Sequence, residues 1–286
     1  MDFLVLAFSS TVLLGAWKLG LGIYRDRLTV WAVLLVTGGA ALATYALRGT
    51  ATGNLEIDSE VMSSGIIAGV LNLTANYLLL QAYQRGKVAV ASGVASAESL
   101  VPVLYAVLTG VAVTVSTALG VVLVLAGLAG FYVFHATTAG SPSKAGSNGG
   151  STSVLLAAGA ALCWGTATLV LALGARTSIT GAEFVQQGTQ FLVVVIVVLA
   201  NPRRQLAGLS WRPGAVVAAA GLALGLGNVA FYAAAEMGSL ALAAVLVAMS
   251  PLVTAVLAWF LLKEKLARAE VLALLVMVLG VSLIAA

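Results

Sequence analysis

Charge is what this chain has least of. Of its 286 residues only 8% are charged, 14 Lys and Arg against 10 Asp and Glu, where soluble domains carry about 25%. A soluble globule of this length needs a polar skin that this composition does not supply. That excludes a soluble enzyme, a nucleic-acid-binding protein and a disordered chain. Cysteine and histidine occur once each, as Cys163 and His135. Neither a disulfide framework nor a Cys/His metal centre is assembled from those, and no cofactor is expected. The net charge of +4 gives no nucleic-acid signal, because the basic residues sit in short loops between apolar runs. What remains is hydrophobic, 61% of the chain. The class is an all-α integral membrane protein whose immediate partner is the lipid bilayer.

About 20 apolar residues cross a bilayer as a helix. Ten such runs are read at 3–24, 28–48, 60–84, 88–110, 116–135, 153–175, 180–200, 213–237, 239–262 and 268–286. Short breaks with turn and charge signals separate most of them, such as Tyr24-Arg25-Asp26-Arg27 and Asn201-Pro202-Arg203-Arg204. The first run lacks a basic leader and a small-residue cleavage site, and reads as a retained helix. Residues 136–152 are Gly/Ser-rich and read as a flexible linker. They part a first five-helix unit, 1–135, from a second, 153–286.

The two units resemble each other. Asn228 follows Asn76, Gly238 follows Gly86, and Ser250-Pro251-Leu252-Val253 follows Glu98-Ser99-Leu100-Val101, each by 152 residues. Gly165 follows Gly15 by 150. An odd number of spans per unit inserts the second upside down. The expectation is two inverted five-helix repeats around a central cavity, the plan of many transporters, with the site at the midplane. The loops after spans 1, 3, 5, 7 and 9 hold eleven Lys and Arg, and the other loops and ends hold only Arg48 and Arg176. The positive-inside rule then places the eleven in the cytoplasm and both termini outside.

Polar residues inside spans are costly and point to function. Glu98 lies mid-way along span 4, on a helical face with Pro102 and Tyr105. A buried carboxyl there suits a proton or a cationic substrate, or else a structural ion pair. Lys18 in span 1 lies within roughly 7 Å of the same depth by helix rise. It either pairs with Glu98 or snorkels to the interface. Span 7 carries Glu183, Gln186 and Gln190 on one face with Gln187 beside them, and that face is expected to meet protein or water. Asn72 and Asn76 share a face of span 3. Asn76 and its mate Asn228 read equally as twin substrate ligands or twin interhelical clamps. Trp164, mid-span, reads as an aromatic wall or as packing. Pro251 and Pro102 remove backbone donors and read as kinks or gate hinges. Gly65/Gly69 and Gly221/Gly225 read as close helix contacts.

These residues resemble a family. Trp164-Gly165, then Gly238-Ser239-Leu240-Ala241, Ser250-Pro251-Leu252-Val253-Thr254-Ala255, Leu262-Lys263-Glu264-Lys265-Leu266 and a final apolar helix with Gly280 are similar to the EamA-like group of the drug/metabolite transporter superfamily. The first unit departs from the signature, with Gly110-Val111-Ala112-Val113-Thr114 where the second has Leu262-Lys263-Glu264-Lys265-Leu266. The resemblance implies a cavity lined by spans 1, 3, 4, 6, 8 and 9. It implies secondary transport of a small polar or amphipathic metabolite, such as an amino acid or related amine, across the inner membrane. Export or proton exchange would run by alternating access, with protons as the coupling partner and a monomer or homodimer as the unit. Rival readings are a flippase for a lipid-linked precursor and a channel or uniporter for small cations. An enzyme is not expected, since Asp2, Asp26 and Asp58 all lie outside mid-span positions and no H-E-x-x-H occurs.

Overall fold

The structure, a computed structural model, describes residues 3–53, 55–110, 114–138, 148–174, 177–237, 243, 246–247 and 249–285. Every regular element among them is helical, as lipid requires of a chain that must satisfy its own backbone. The order is α1 (Phe3–Ile23), α2 (Val30–Thr52), α3 (Ser59–Arg85), α4 (Val88–Ala95), a 3-10 turn (Ser96–Ser99), α5 (Leu100–Leu108), α6 (Val115–Thr138), α7 (Asn148–Gly174), α8 (Ile179–Ala200), a short α9 (Pro202–Gln205), α10 (Trp211–Met237), α11 (Ser250–Leu257) running into a π turn (Ala258–Leu262), and α12 (Arg268–Ala285).

Seven of the described helical stretches are long and apolar enough to cross a membrane: α1, α2, α3, Val88–Tyr105, α7, α8 and α10. α6 and α11 contribute shorter apolar stretches, Val115–Gly130 and Ser250–Leu262. Much of the run 239–249 lies outside the described residues. So do residues 139–147 of the stretch read as linker. Its two ends are helical, since α6 extends to Thr138 and α7 begins at Asn148.

Side-chain caps start the helices. Thr29 Oγ1 accepts from Ala32 N at 3.1 Å, Asp58 Oδ1 from Val61 N at 2.8 Å, and Ser178 Oγ from Gly181 N at 2.9 Å. Each satisfies an orphan donor of a first turn. Gly53 ends α2 at φ 69°, and Lys263 ends the π turn at φ 55°.

Helix packing follows one scheme. α1 packs on α10 and α3 on α7; α2 packs on α10 and α8 on α3; α11 packs on α1 and α4 on α7. α2 meets α8, α6 meets α12, and α4 meets α11. Exchanging the helices of the first half with those of the second in chain order swaps the first six contacts in pairs and returns the last three to themselves. Glycines permit the approach. A Cβ on Gly65 would meet Val185 at 2.6 Å, one on Gly69 Thr189 at 2.7 Å, one on Gly221 the Thr37 carbonyl at 2.4 Å, and one on Gly225 Thr44 at 2.5 Å. Both GxxxG pairs are close contacts, as expected.

The loops sort to two ends. At one, Arg25 reaches Glu264, Lys87 reaches Glu270, and Thr29 reaches the Gln205 carbonyl. At the other, Thr177 Oγ1 donates to Asp58 Oδ2 at 2.8 Å. The loops after spans 1, 3, 7 and 9 share the first end.

Candidate functional site

The fourth span changes its winding part-way, with the residues that bound the change in the right-handed helical region. α4 stops at Ala95, the 3-10 turn carries Glu98, and α5 starts at Leu100. A continuous α-helix would have kept Glu98, Pro102 and Tyr105 on one face. Tyr105 is 38% exposed on α5. Pro102 lies in the first turn of α5, where its missing N–H breaks no helical bond. It therefore follows the turn instead of kinking a helix. Pro251 also lies in the first turn of its helix, α11. Gly165 of α7 packs directly against the turn, its position 2.3 Å, as a Cβ would measure it, from the Glu98 carbonyl.

Glu98 is half-buried. Lys18, on α1, is 6% exposed and interacts electrostatically with it. The two do not touch: neither side chain makes a hydrogen bond, and the direct ion pairs among the described residues lie elsewhere. Ser99 Oγ, next in the turn, is buried with no hydrogen-bond partner among the described residues. Glu98 and Ser99 thus share the tightened turn of this span, and Lys18 of α1 is near enough to interact with Glu98.

A network of amides adjoins it. Trp164 Nε1 donates to Asn72 Oδ1 at 2.7 Å, and Asn72 Nδ2 donates to Gln190 Oε1 at 2.8 Å. Asn76 Nδ2 donates to the Asn72 carbonyl at 2.9 Å and reaches Gln190 Oε1 at 3.3 Å. Gln187 Nε2 donates to the Gly38 carbonyl at 3.3 Å. The chain of bonds ties α7 to α3, α3 to α8 and α8 to α2. The polar face of span 7 therefore meets protein, and Gln190 and Gln187 are buried there. Gln186 is half-buried beside Gly69, its carbonyl 2.7 Å from that glycine's Cβ position. Trp164 also stacks on Trp17, with ring centroids 5.8 Å apart. The structure thus brings together Trp164, Asn72, Asn76 and Gln190, and sets the adjoining Gly165 on the turn of Glu98. Asn228 lies apart from them: its Nδ2 donates to Tyr45 Oη at 2.5 Å. Asn76 thus bridges α3 to α8 and Asn228 bridges α10 to α2, at corresponding contacts.

Two further charged groups were missed in the sequence. Arg48 counted as a loop residue, but α2 runs past it to Thr52. It pairs there with Glu183 of α8 at 3.6 Å, both side chains largely buried. Tyr45 and Asn228 adjoin this pair. Glu264 read as part of a loop signature, but it is buried and caps α4 from a distance of 176 residues. Its Oε1 accepts from Val88 N at 3.0 Å and from Arg25 at 2.8 Å, and its Oε2 from Ala89 N at 3.2 Å. The signal was present in the sequence: α4 follows Lys87, which offers no side-chain cap, so its first donors needed a remote acceptor. The side chain of His135 lies outside the described residues, and no group of three metal-binding side chains occurs among those described.

Residues 151–286 match the model of the EamA-like transporter family. The second half carries an EamA-like transporter unit, and the resemblance to that family, part of the drug/metabolite transporter superfamily, is borne out. The EamA-like match implies a multi-pass membrane transporter of small molecules. One solved crystal structure is similar over 98% of this chain and 96% of its own, with a TM-score of 0.65 and 18% identity. At that identity the likeness shows the fold alone. Comparison with curated proteins gives no match.

Proposed function

We propose that this EamA-like protein is a secondary transporter of a small polar or amphipathic metabolite, with an amino acid or related amine favoured. Its ten spans form two inverted five-helix repeats around a central cavity, and alternating access moves the cargo outward or in exchange for protons. The plan is supported by the exchange symmetry of the helix contacts. It is also supported by two matched glycine contacts: Gly15 faces Val253 and the Ser250 carbonyl, as Gly165 faces Val101 and the Glu98 carbonyl. The Lys/Arg-rich end faces the cytoplasm of the inner membrane and both termini face out.

The observation that carries the reading is Glu98 at the tightened turn of the fourth span. It is a carboxyl in mid-membrane, held near Lys18 without being bonded to it. A structural ion pair would close that gap, because a buried charge is stable only when directly compensated. A group that must bind and release a proton or a cationic cargo needs the gap. Glu98 is the coupling site, Lys18 its counter-charge, and Trp164 the wall. Asn72, Asn76, Gln186 and Gln190 set the polar lining on one side, and Asn228 acts on the other.

The test is Glu98→Gln in proteoliposomes. Screening metabolite pools by thermal shift first supplies a cargo, since a ligand that prefers the folded protein raises its stability. The substitution is expected to abolish binding or proton-driven flux while leaving the protein folded in the membrane. Unchanged flux would defeat the assignment.

A further inference from the structure

Beyond the central site, the charged residues at the Lys/Arg-rich end form a connected structure that the transport reading does not use. Glu264 is fully bonded. One oxygen is shared by Arg25 and the backbone N–H of Val88, and the other takes the N–H of Ala89. Gln84 Nε2 adds a bond to the Arg25 carbonyl at 3.2 Å. Glu270, 1% exposed, pairs with Lys87 at 2.5 Å and also accepts from Ala267 N at 2.7 Å. Two carboxylates from the loop between α11 and α12, and from the start of α12, therefore grip the corner between α3 and α4 and the loop after α1. The links that Glu264 and Glu270 make to Arg25, Lys87, Val88 and Ala89 each join the second half of the chain to the first.

The grip has direction. A carboxylate at a helix N-terminus is favoured by the free N–H groups and by the helix dipole, so Glu264 holds α4 by its loop end. α4 is eight residues long, about 12 Å of rise. At its other end stands the turn with Glu98. The same short helix thus connects the charged cluster to the proposed coupling site. The capping carboxylate has no copy in the first half. At the 152-residue offset, the position matching Glu264 is Ala112, and the first half reads Gly110-Val111-Ala112-Val113-Thr114 with no charge. The opposite end joins the halves by other contacts, Arg48 with Glu183 at 3.6 Å and Thr177 with Asp58 at 2.8 Å.

We propose that Glu264, with Arg25, Lys87 and Glu270, is an ionic latch that keeps the Lys/Arg-rich end closed, and that α4 transmits its release to and from Glu98. The latch rests on the transporter reading for its purpose but not for its measurement. Because the two ends are held by different contacts, a carboxylate that caps a helix at this end and the Arg48–Glu183 pair at the other, the two access states are unequal, and the resting protein is closed at this end. Hydrogen bonds to a charged group each shift an equilibrium by about one order of magnitude. Removing the charge should therefore raise the open population about tenfold or more.

The experiment uses the full chain in lipid nanodiscs with Cys163→Ala. Spin labels are placed at Arg27→Cys and Lys265→Cys, both exposed positions on the two sides of the latch. Distances are read by pulsed electron resonance. The otherwise unaltered protein is expected to give a single short distance. Glu264→Gln and Arg25→Gln are each expected to add a longer one, while Arg25→Lys retains the short one. Should Glu264→Gln fail to fold, Arg25→Gln and Lys87→Gln decide, since both leave the cap on α4 in place. An unchanged distribution in the folded variants overturns the latch, and so does a long distance in the unaltered pair. The readout is a distance and not a flux. Failure here leaves the Glu98 assignment standing, and loss of that assignment leaves the latch standing.

Discussion

Gly165→Ala tests the tertiary contact that places Glu98. A Cβ at this position would lie 2.3 Å from the Glu98 carbonyl oxygen and 2.6 Å from Val101 Cγ2, where ordinary contact is 3.4–4 Å. The first neighbour is backbone in a membrane span and cannot rotate away. Either α7 or the 3-10 turn must move by about 1 Å. Overpacking of this kind costs about 1–3 kcal/mol, and a backbone clash belongs in the upper part of that range. Alanine recovers about 1 kcal/mol of helix propensity, leaving a net cost of about 1–2 kcal/mol. Gly188 on α8 is the control, because nothing lies within 4 Å of its Cβ position. Gly188→Ala keeps the propensity gain without the clash. The two variants should differ by about 2–3 kcal/mol in opposite directions from the parent. Equilibrium unfolding in mixed micelles, followed by helicity, measures this directly. If Gly165→Ala is as stable as Gly188→Ala, the packing of α7 on the turn is not as described, and the placement of Glu98 fails with it.

Two other outcomes are expected. Glu183→Gln or Arg48→Met alone should destabilise by about 3–5 kcal/mol, because each removes one member of a largely buried ion pair. Arg48→Met combined with Glu183→Leu should recover most of that loss, and a double-mutant cycle measures the coupling. At the α3 end, the Val61 amide and then the Thr177 hydroxyl hold the Asp58 carboxyl below the usual carboxylate range. A depressed folded value means the cap is fully present above the unfolded value of about 3.9 and is lost as pH falls through the lower folded one. Hydrogen exchange at the Val61 amide should therefore differ between the parent and Asp58→Ala above about pH 5. That difference should shrink only below about pH 4. A difference that vanishes near neutral pH would contradict the cap.

The helices were legible because the bilayer leaves a span little choice: length, apolarity and internal hydrogen bonds all have to coincide. The polar stripe of span 7 was legible for the same reason, since four amides and acids facing lipid are excluded. What the sequence hid depends on partners far along the chain. Arg48 lies four residues before the end of α2, and Glu183, 135 residues away, compensates its burial. The tightened turn at Ser96–Ser99 has no local signal: Ser-Ala-Glu-Ser continues an α-helix as readily as it forms a 3-10 turn, and the turn packs against Gly165 of α7. Asn76 and Asn228 were matched by offset, yet their bonding partners, Gln190 and Tyr45, are different residue types. An offset detects equivalent places, not equivalent chemistry.

That difference bears on how the two halves divide their work. The contacts conserved between the halves of this chain are those made by small residues: Gly15 and Gly165, Gly65/Gly69 and Gly221/Gly225. They set where helix axes cross. On the proposed plan, both access states must reuse the same crossings with the halves exchanged, so the crossings have to be alike. The polar groups are under no such constraint. Glu98 has Ser250 as its mate, Glu264 has Ala112, and Lys18 has Thr168. Each charge therefore occurs in one half only, and any bias between the two states, as well as any coupling to an ion, must come from these unmatched positions. Packing makes the exchange possible, and the single-copy charges decide which way it rests.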